Sequence, residues 1–313
     1  MVQTLILTSK NLVNDGTNST FRYIFPQSVH FKDDYIAVQQ VSIYNSVYNI
    51  TIALGNNKFK YTWIDGTIVN ITIEDGNYTI GSMNAYLQSI MIENEHFLID
   101  NASGNYIYFI QLQPNVTAYS LQLNCFPINS NYTINQGGTT GYSYPSLTTT
   151  WSVDKAVASS AGSMTPVVTF NNQGFATWTG FVYPNSYPAS TITSTPATYS
   201  QTAFAKQGQT QSFLSTYSPE TTPQPNYLAI CSLVNNTSVI PSQLLYVITI
   251  DNTIPIGQLY TNQISNLAFN RIVDGNYKEF QFQFVDINGV SIIFQDPNSA
   301  IMLVIRNKND LTT

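Results

Sequence analysis

Apolar and polar residues alternate with a period of two over long stretches near both ends of the chain. Phe21, Tyr23 and Phe25 share one side of a stretch that runs up to Pro26. After a turn at Asp33-Asp34, Ile36, Val38 and Gln40 alternate with Ala37, Gln39 and Val41. Period two sends successive side chains to opposite faces, which is the pattern of a strand with one buried face. Phe59, Tyr61 and Trp63 line another such face, Asp65-Gly66 follows, and Val69, Ile71 and Ile73 return. Asp-Gly between alternating runs predicts a hairpin closed by a two-residue type I′ turn. Ile107, Phe109 and Gln111 alternate next, and then Tyr119, Leu121, Leu123 and Cys125.

One stretch follows a different period. Met83, Leu87, Ile90 and Met91 recur at helical spacing behind Ser82, which predicts a short helix capped by Ser82 and ending near Asn94. Strand patterning is strong again from Tyr227. Leu228–Cys231 and Leu245–Ile250 read as strands, followed by a three-part run. Phe280, Phe282 and Phe284 alternate, Asn288-Gly289 turns, and Val290, Ile292 and Phe294 return. Asp296-Pro297-Asn298 turns once more before Ile301, Leu303 and Ile305, which predicts a meander of fixed register.

Between these regions the character of the chain changes. From 127 to 226, nine of the fourteen prolines occur, and Asp154, Lys155, Lys206 and Glu220 are the only charges. Ser and Thr make up about a third of this stretch, a bias typical of loops. Val167–Phe170, Phe175–Trp178 and Gly180–Tyr183 still read as short strands. Residues 127–226 are therefore expected to be an inserted Ser/Thr/Pro-rich β subdomain. Residues 1–126 and 227–313 are expected to form one discontinuous host domain. Its strands need two sheets packed face to face, and an eight-stranded single jelly-roll β-sandwich is the expected all-β solution.

Composition agrees with an all-β reading. Only 9% of the 313 residues are charged and 13% are aromatic, with 21 Tyr and 17 Phe. Aromatic and Thr-rich sequences suit pleated surfaces, whereas helix surfaces favour Lys, Glu, Arg and Ala. The hydrophobic share of 43% is enough to build a core. A net charge of −6 and the absence of a basic arm argue against direct nucleic-acid binding. No run of about 18 apolar residues predicts a membrane span. The segment Met1–Thr8 lacks the basic and apolar regions of a secretory signal.

Several segments together resemble the penton (minor capsid) proteins of virophages and Polinton-like viruses. They are Phe25-Pro26 with Val29 and Phe31, Asp33-Asp34-Tyr35, and the strand ending in Tyr44-Asn45. Further along come Glu74–Ile80, leading into the helix with Asn84, Tyr86 and Leu87, and Phe284–Gly289, leading to Asp296 and Leu303–Arg306. The resemblance covers about two thirds of the chain on this division of its domains. It implies a single jelly roll carrying an inserted domain, assembled as a homopentamer at the vertices of an icosahedral virion. The partners it implies are copies of itself and the major capsid protein, with assembly in the host cytoplasm. The insertion would offer a surface for a host receptor or glycan. The resemblance brings no residue-level site, so no catalytic, cofactor-binding or metal-binding residue is assigned. The alternative reading is a jelly-roll carbohydrate-binding module or adhesin.

Candidate chemistry changes this picture little. The carboxylates Asp33, Asp34, Asp65, Glu74, Asp75, Asp251, Asp274, Asp286 and Asp296 sit almost all beside Gly, Asn or Pro. They are expected to bond local turn backbone and not to form the acid/base pair of a glycosidase. His30 and His96 lack a neighbouring triad partner, and no nucleophile elbow or phosphate-binding glycine loop occurs, so no enzyme is expected. Cys125 and Cys231 flank the expected insertion, where a disulfide would staple its base; reduced buried thiols are the ordinary alternative. Nine Asn-x-Ser/Thr sequons, from Asn18 to Asn236, are close to what this Asn and Ser/Thr content produces by chance. Tyr142, Tyr144, Trp151, Trp178, Tyr183 and Tyr187 have two readings. They could form a sugar-contacting surface, or they could be the core of a subdomain poor in aliphatics, which is the expectation.

Overall fold

A computed structural model describes residues 3–128, 132–153, 165–188, 210–220, 226–239, 241–250 and 254–310. Asp154, Lys155, Lys206, Asp251 and the sequon at Asn131 lie outside the described residues. The strands run in chain order as β1 (Gln3–Thr8), β2 (Thr20–Phe31), β3 (Asp34–Tyr44), β4 (Lys58–Thr62) and β5 (Ile68–Thr72). Helix α1 (Ile80–Glu93) comes next, then β6 (Phe97–Asp100), β7 (Tyr106–Tyr108), β8 (Ile110–Asn115), β9 (Ser120–Cys125), β10 (Tyr142–Ser143) and β11 (Val167–Phe170). Helix α2 (Gln173–Thr179) precedes β12 (Asn185–Tyr187), β13 (Gln211–Leu214), β14 (Asn226–Cys231) and β15 (Leu244–Thr249). The series ends with β16 (Leu259–Gln263), β17 (Asn270–Arg271), β18 (Gly275–Val285) and β19 (Ala300–Asn307).

The chain divides into two compact units, one of Met1–Tyr48 with Thr222–Thr313, the other of Asn49–Thr221. The expected boundary at 126/127 is thereby corrected to 48/49. The strands between 58 and 125 share the alternation of the host strands, so periodicity does not separate them. The composition shift at 127 marks the loop-rich half of the second unit and not its start.

The first unit is a jelly roll by its own strand order. One sheet runs β1-β19-β3-β16, with the short β17 also on β3; the other runs β15-β14-β18-β2. Taking β16 and β17 as one interrupted strand, chain-order strands pair first with last, second with seventh, third with sixth and fourth with fifth. These pairs are β1·β19, β2·β18, β3·β16 and β14·β15, all antiparallel. A long hairpin wrapped in this way into two sheets is the jelly-roll topology. The second unit is inserted between the third and fourth strands, β3 and β14.

The two inner faces differ in kind. The sheet of β1, β19 and β3 contributes Leu7, Ile301, Leu303, Ile305, Ile36, Val38, Val41 and Ile43. The opposite sheet contributes Phe21, Phe25, Phe31, Phe280, Phe282, Phe284 and Tyr227. Phe21 meets Phe282 and Phe284 edge-on at 6.2 and 6.1 Å, a favoured aromatic geometry. The predicted meander is only partly realised. The Phe280–Phe284 strand lies in one sheet and the Ile301–Ile305 strand in the other. Val290–Phe294 forms no strand, making a single bridge of Ser291 to Val285. Ile292 and Phe294 are nevertheless buried, which accounts for their alternation.

The second unit has shorter elements. Its sheets are β12-β11-β4-β5, β13-β9-β8 and β10-β6-β7. Helix α1 buries Met83, Leu87 and Met91, as its spacing predicts. Its cap is Thr79 and not Ser82: the Thr79 hydroxyl accepts from Ser82 N, and Ser82 Oγ accepts from Thr79 N. That is a capping box with Ser82 as its second member. Phe175–Trp178, expected as a strand, is the body of helix α2. Asn172 Oδ1 accepts from Phe175 N, and Gly180 ends the helix at φ +77°, so both stop signals are in the sequence. The strand that follows is Asn185–Tyr187 and not Gly180–Tyr183.

The hairpin turns are one residue longer than a type I′ turn. Trp63 N donates to Thr67 O at 2.8 Å and Gly66 N to Trp63 O at 3.0 Å. Asp286 N and Gly289 N repeat this with Val290 O and Asp286 O, at 2.8 and 3.0 Å. Only the glycine has positive φ in each turn, +91° at Gly66 and +80° at Gly289. A three-residue loop with one left-handed glycine meets that demand.

Candidate assembly surfaces

The sequence-derived candidates for chemistry go to structural roles. Asp65 Oδ1 accepts from Thr67 N, Asp75 Oδ1 from Ile52 N, Asp286 Oδ1 from Val290 N, and Asp296 Oδ1 from Asn298 N. Asp34 Oδ2 accepts from Lys32 N. Asp33 and Asp274 are brought together, but by the Arg271 guanidinium, which lies 3.1 Å from one and 3.0 Å from the other on an exposed surface. Both carboxylates thus share one guanidinium at the surface and make no contact with each other that would mark an acid/base couple. No group of three metal-ligating side chains occurs among the described residues. No helix among them is long and apolar enough to cross a membrane.

His30 is exposed, with Nδ1 3.0 Å from Asn276 Oδ1. His96 is buried in the second unit, stacked on Trp63 at 4.4 Å with 10° between the rings. Its Nδ1 lies 2.8 Å from Tyr61 Oη. Burial lowers the His96 pKa to about 4, against a smaller opposing pull from Asp65 and Glu95. Burial likewise raises the Tyr61 phenol well above its ordinary value. Trp151 Nε1 donates to Glu95 O at 2.8 Å, and the Glu95 carboxylate accepts from Ser146 and Thr149 hydroxyls. The cluster packs a neutral imidazole; it positions no nucleophile.

Cys125 and Cys231 are free thiols, each buried in the core of a different unit. Cys125 belongs to the body of the second unit and not to a stem of the insertion. Burial pushes the Cys231 thiol up to about 12 and raises Cys125 as well, so both are unreactive.

The distinctive surfaces are the outward faces of the jelly-roll sheets. On the first sheet, Ile6 lies beside Met302, Met302 beside Gln40, and Gln40 beside Gln263. The next row is Thr8, Ala300, Ser42 and Thr261, and Leu259 lies beside Tyr44. Gln40 Nε2 donates to Ser42 Oγ at 3.2 Å, and Ser42 Oγ and Thr261 Oγ1 are 3.2 Å apart. Arg306 and Arg271 flank Tyr35 near the end of this face, and the Arg306 guanidinium lies 5.3 Å from the Phe269 ring centre. On the second sheet, exposed Val247 lies beside Leu228, and Ile230 lies between Leu244 and Gln283; Leu228 and its other neighbour Val285 are buried. Arg22 and Glu279 are the charges flanking this patch, and they pair, with Arg22 Nε 2.9 Å from Glu279 Oε2.

The charges of this unit gather instead at turns: Lys32, Asp33, Asp34, Arg271, Asp274 and Lys308 meet at one end of the strands. Sequence reasoning identified the shortage of charge but not these faces. Which residues face outward depends on which sheet each strand joins.

No family model matches the sequence, and no curated protein is similar to it. Among solved structures, the chain is similar to the mavirus penton protein, at 9% identity and a TM-score of 0.41 over 97% of each chain. It is also similar to a chain of the Sputnik virophage structure, at 10% identity and a TM-score of 0.39, over 100% of this chain and 99% of that one. Scores of this size carry no weight, and the jelly-roll assignment rests on the strand order given above.

Proposed function

We propose that the chain is a structural minor capsid subunit, a penton protein. It would close a ring of five identical copies at an icosahedral vertex and meet the major capsid protein around that ring. The observation that carries this reading is the row of uncharged groups across the outward face of the first sheet, from Ile6 and Met302 to Gln40 and Gln263. A five-fold contact is heterologous: one surface of a subunit meets a different surface of the next. Buried charges in such a contact cost desolvation, so amide, hydroxyl and apolar faces suit it. The sequence segments listing with virophage and Polinton-like pentons support the same reading. All of them but Glu74–Ile80 and the helix it leads into belong to the jelly-roll unit.

Native mass measurement tests it. A particle of about five times the 34.8 kDa chain is expected. Ile6→Asp and Val247→Asp, each an exposed residue on one face, should return the particle to monomers with little change in melting temperature. A monomer at assembly concentrations, or a ring indifferent to both changes, overturns the proposal.

A further inference from the structure

Three exposed tyrosines of the second unit stand on three turns that its backbone ties together. Tyr217 N donates to Gly180 O at 3.0 Å, and Ser218 Oγ donates to Tyr119 O at 2.9 Å. Tyr183 follows Gly180 by three residues. Tyr119 is 81% exposed, Tyr217 68% and Tyr183 46%. These rings are displayed at some cost. Tyr119 sits at φ +50°, a left-handed conformation rare for a bulky residue. Gly180 is at φ +77°, and a Cβ there would lie 2.1 Å from Tyr217 O, so only glycine lets the two turns meet.

Tyr106 is as exposed as Tyr183 but packs on Phe97 at 4.6 Å, and the aromatics expected as a sugar surface behave differently. Trp151, Trp178 and Tyr187 are buried, and Tyr142 and Tyr144 are half-buried against the core. The core therefore accounts for them and leaves the three exposed rings unexplained. The described charges around those rings are few and acidic. Between Phe97 and Glu220 they are Asp100 and Glu220 itself, whose N donates to Trp178 O at 2.9 Å. Asn115, Asn185 and the Ser218 hydroxyl supply amide and hydroxyl groups on the same turns. Flat rings offer apolar faces to the C–H faces of a pyranose, and uncharged amides and hydroxyls match its hydroxyls. An acidic sugar or a phosphate would find no cation among the described residues here and would meet Glu220.

We propose that Tyr119, Tyr183 and Tyr217 form a binding patch for a neutral oligosaccharide. The patch is independent of the capsid reading, since it needs neither a ring nor a vertex. The test is an array of neutral glucose, mannose, galactose and N-acetylglucosamine oligomers beside sialylated and sulfated ones, probed with the full chain. A neutral oligomer found there is then titrated. Tyr119→Asn, Tyr183→Ala and Tyr217→Ala should each weaken its binding by about fivefold, and the Tyr→Phe changes by much less, because the ring is kept. Thermal melting of each variant should match the parent, as the side chains are exposed. The proposal is overturned by no neutral binding at millimolar sugar, by binding to acidic glycans alone, or by binding unchanged in the triple variant. It is also overturned if footprinting finds the three rings shielded in an assembled particle, which would make the patch a contact between copies.

Discussion

In the first unit, strands of up to twelve residues satisfy most of the backbone through their ladders, and one sheet of aromatics packs on one of aliphatics. Among the described residues of the second unit no strand exceeds six residues, and side chains bond much of the backbone that ladders leave over. Asn49 exchanges two hydrogen bonds with Tyr78 backbone, at 2.7 and 2.8 Å. Asn56 bonds Thr51 N and Asn49 O, and Asn57 bonds Ile73 O. The second core also relies on stacked rings, such as Phe59 on Phe175 and Phe170 on Phe181, both at 4.6 Å. The difference is between a fold specified by period and a fold specified by individual contacts. Long ladders tolerate a generic sequence with the right alternation. Short strands need particular side chains to pair buried polar backbone.

The largest test of this contrast is Phe282→Ala. The side chain is fully buried between sheets, and its loss should cost about 3–5 kcal/mol. Calorimetry on the intact chain should show one transition falling steeply while the other holds. A common shift of the whole profile would break the comparison.

Acid should then act on the second unit. His96 titrates near pH 4 when folded and near its ordinary value when unfolded, so the unfolded state binds the extra proton first. Stability from the neutral imidazole is complete above about pH 6.5 and declines as pH falls towards 4, by roughly 2–3 kcal/mol in all. The first core contains no histidine and should lack this step. His96→Phe should remove it; urea titrations across pH 7 to 4 read the difference.

The smallest effect is expected from Thr79→Ala. It removes one half of the α1 capping box and should cost about 1 kcal/mol, confined to the second unit's transition. A shift in the first unit's transition would show that the units are not separately stabilised.

Much of the first unit was legible because its strands are long and half-buried. Phe280, Phe282 and Phe284 announce their face without any partner in view. The sheet each strand joins was not legible, since the pairings of β1 with β19 and of β2 with β18 are settled by contacts far apart in sequence. Residues 58–125 show why the unit boundary was missed: their alternation is the same as that of the host. Helix α2 reads as a strand although Asn172 and Gly180 mark its two ends, because its seven residues, Gln173–Thr179, make too few turns to show a helical period. The tyrosine patch could not be read from periodicity, as Tyr119 follows the strand pattern of Leu121 and Leu123 but lies in the turn before them.

The place of β19 has a consequence for synthesis. It lies between β1 and β3, so the middle of one sheet is translated after the other described strands of both sheets. Until then β1 and β3 have no strand to join them, and the apolar faces of both wait unpaired. The second unit is contiguous and can close during this interval. The jelly roll therefore matures after its own insertion, and its aggregation-prone stage is the time between translation of β3 and of β19.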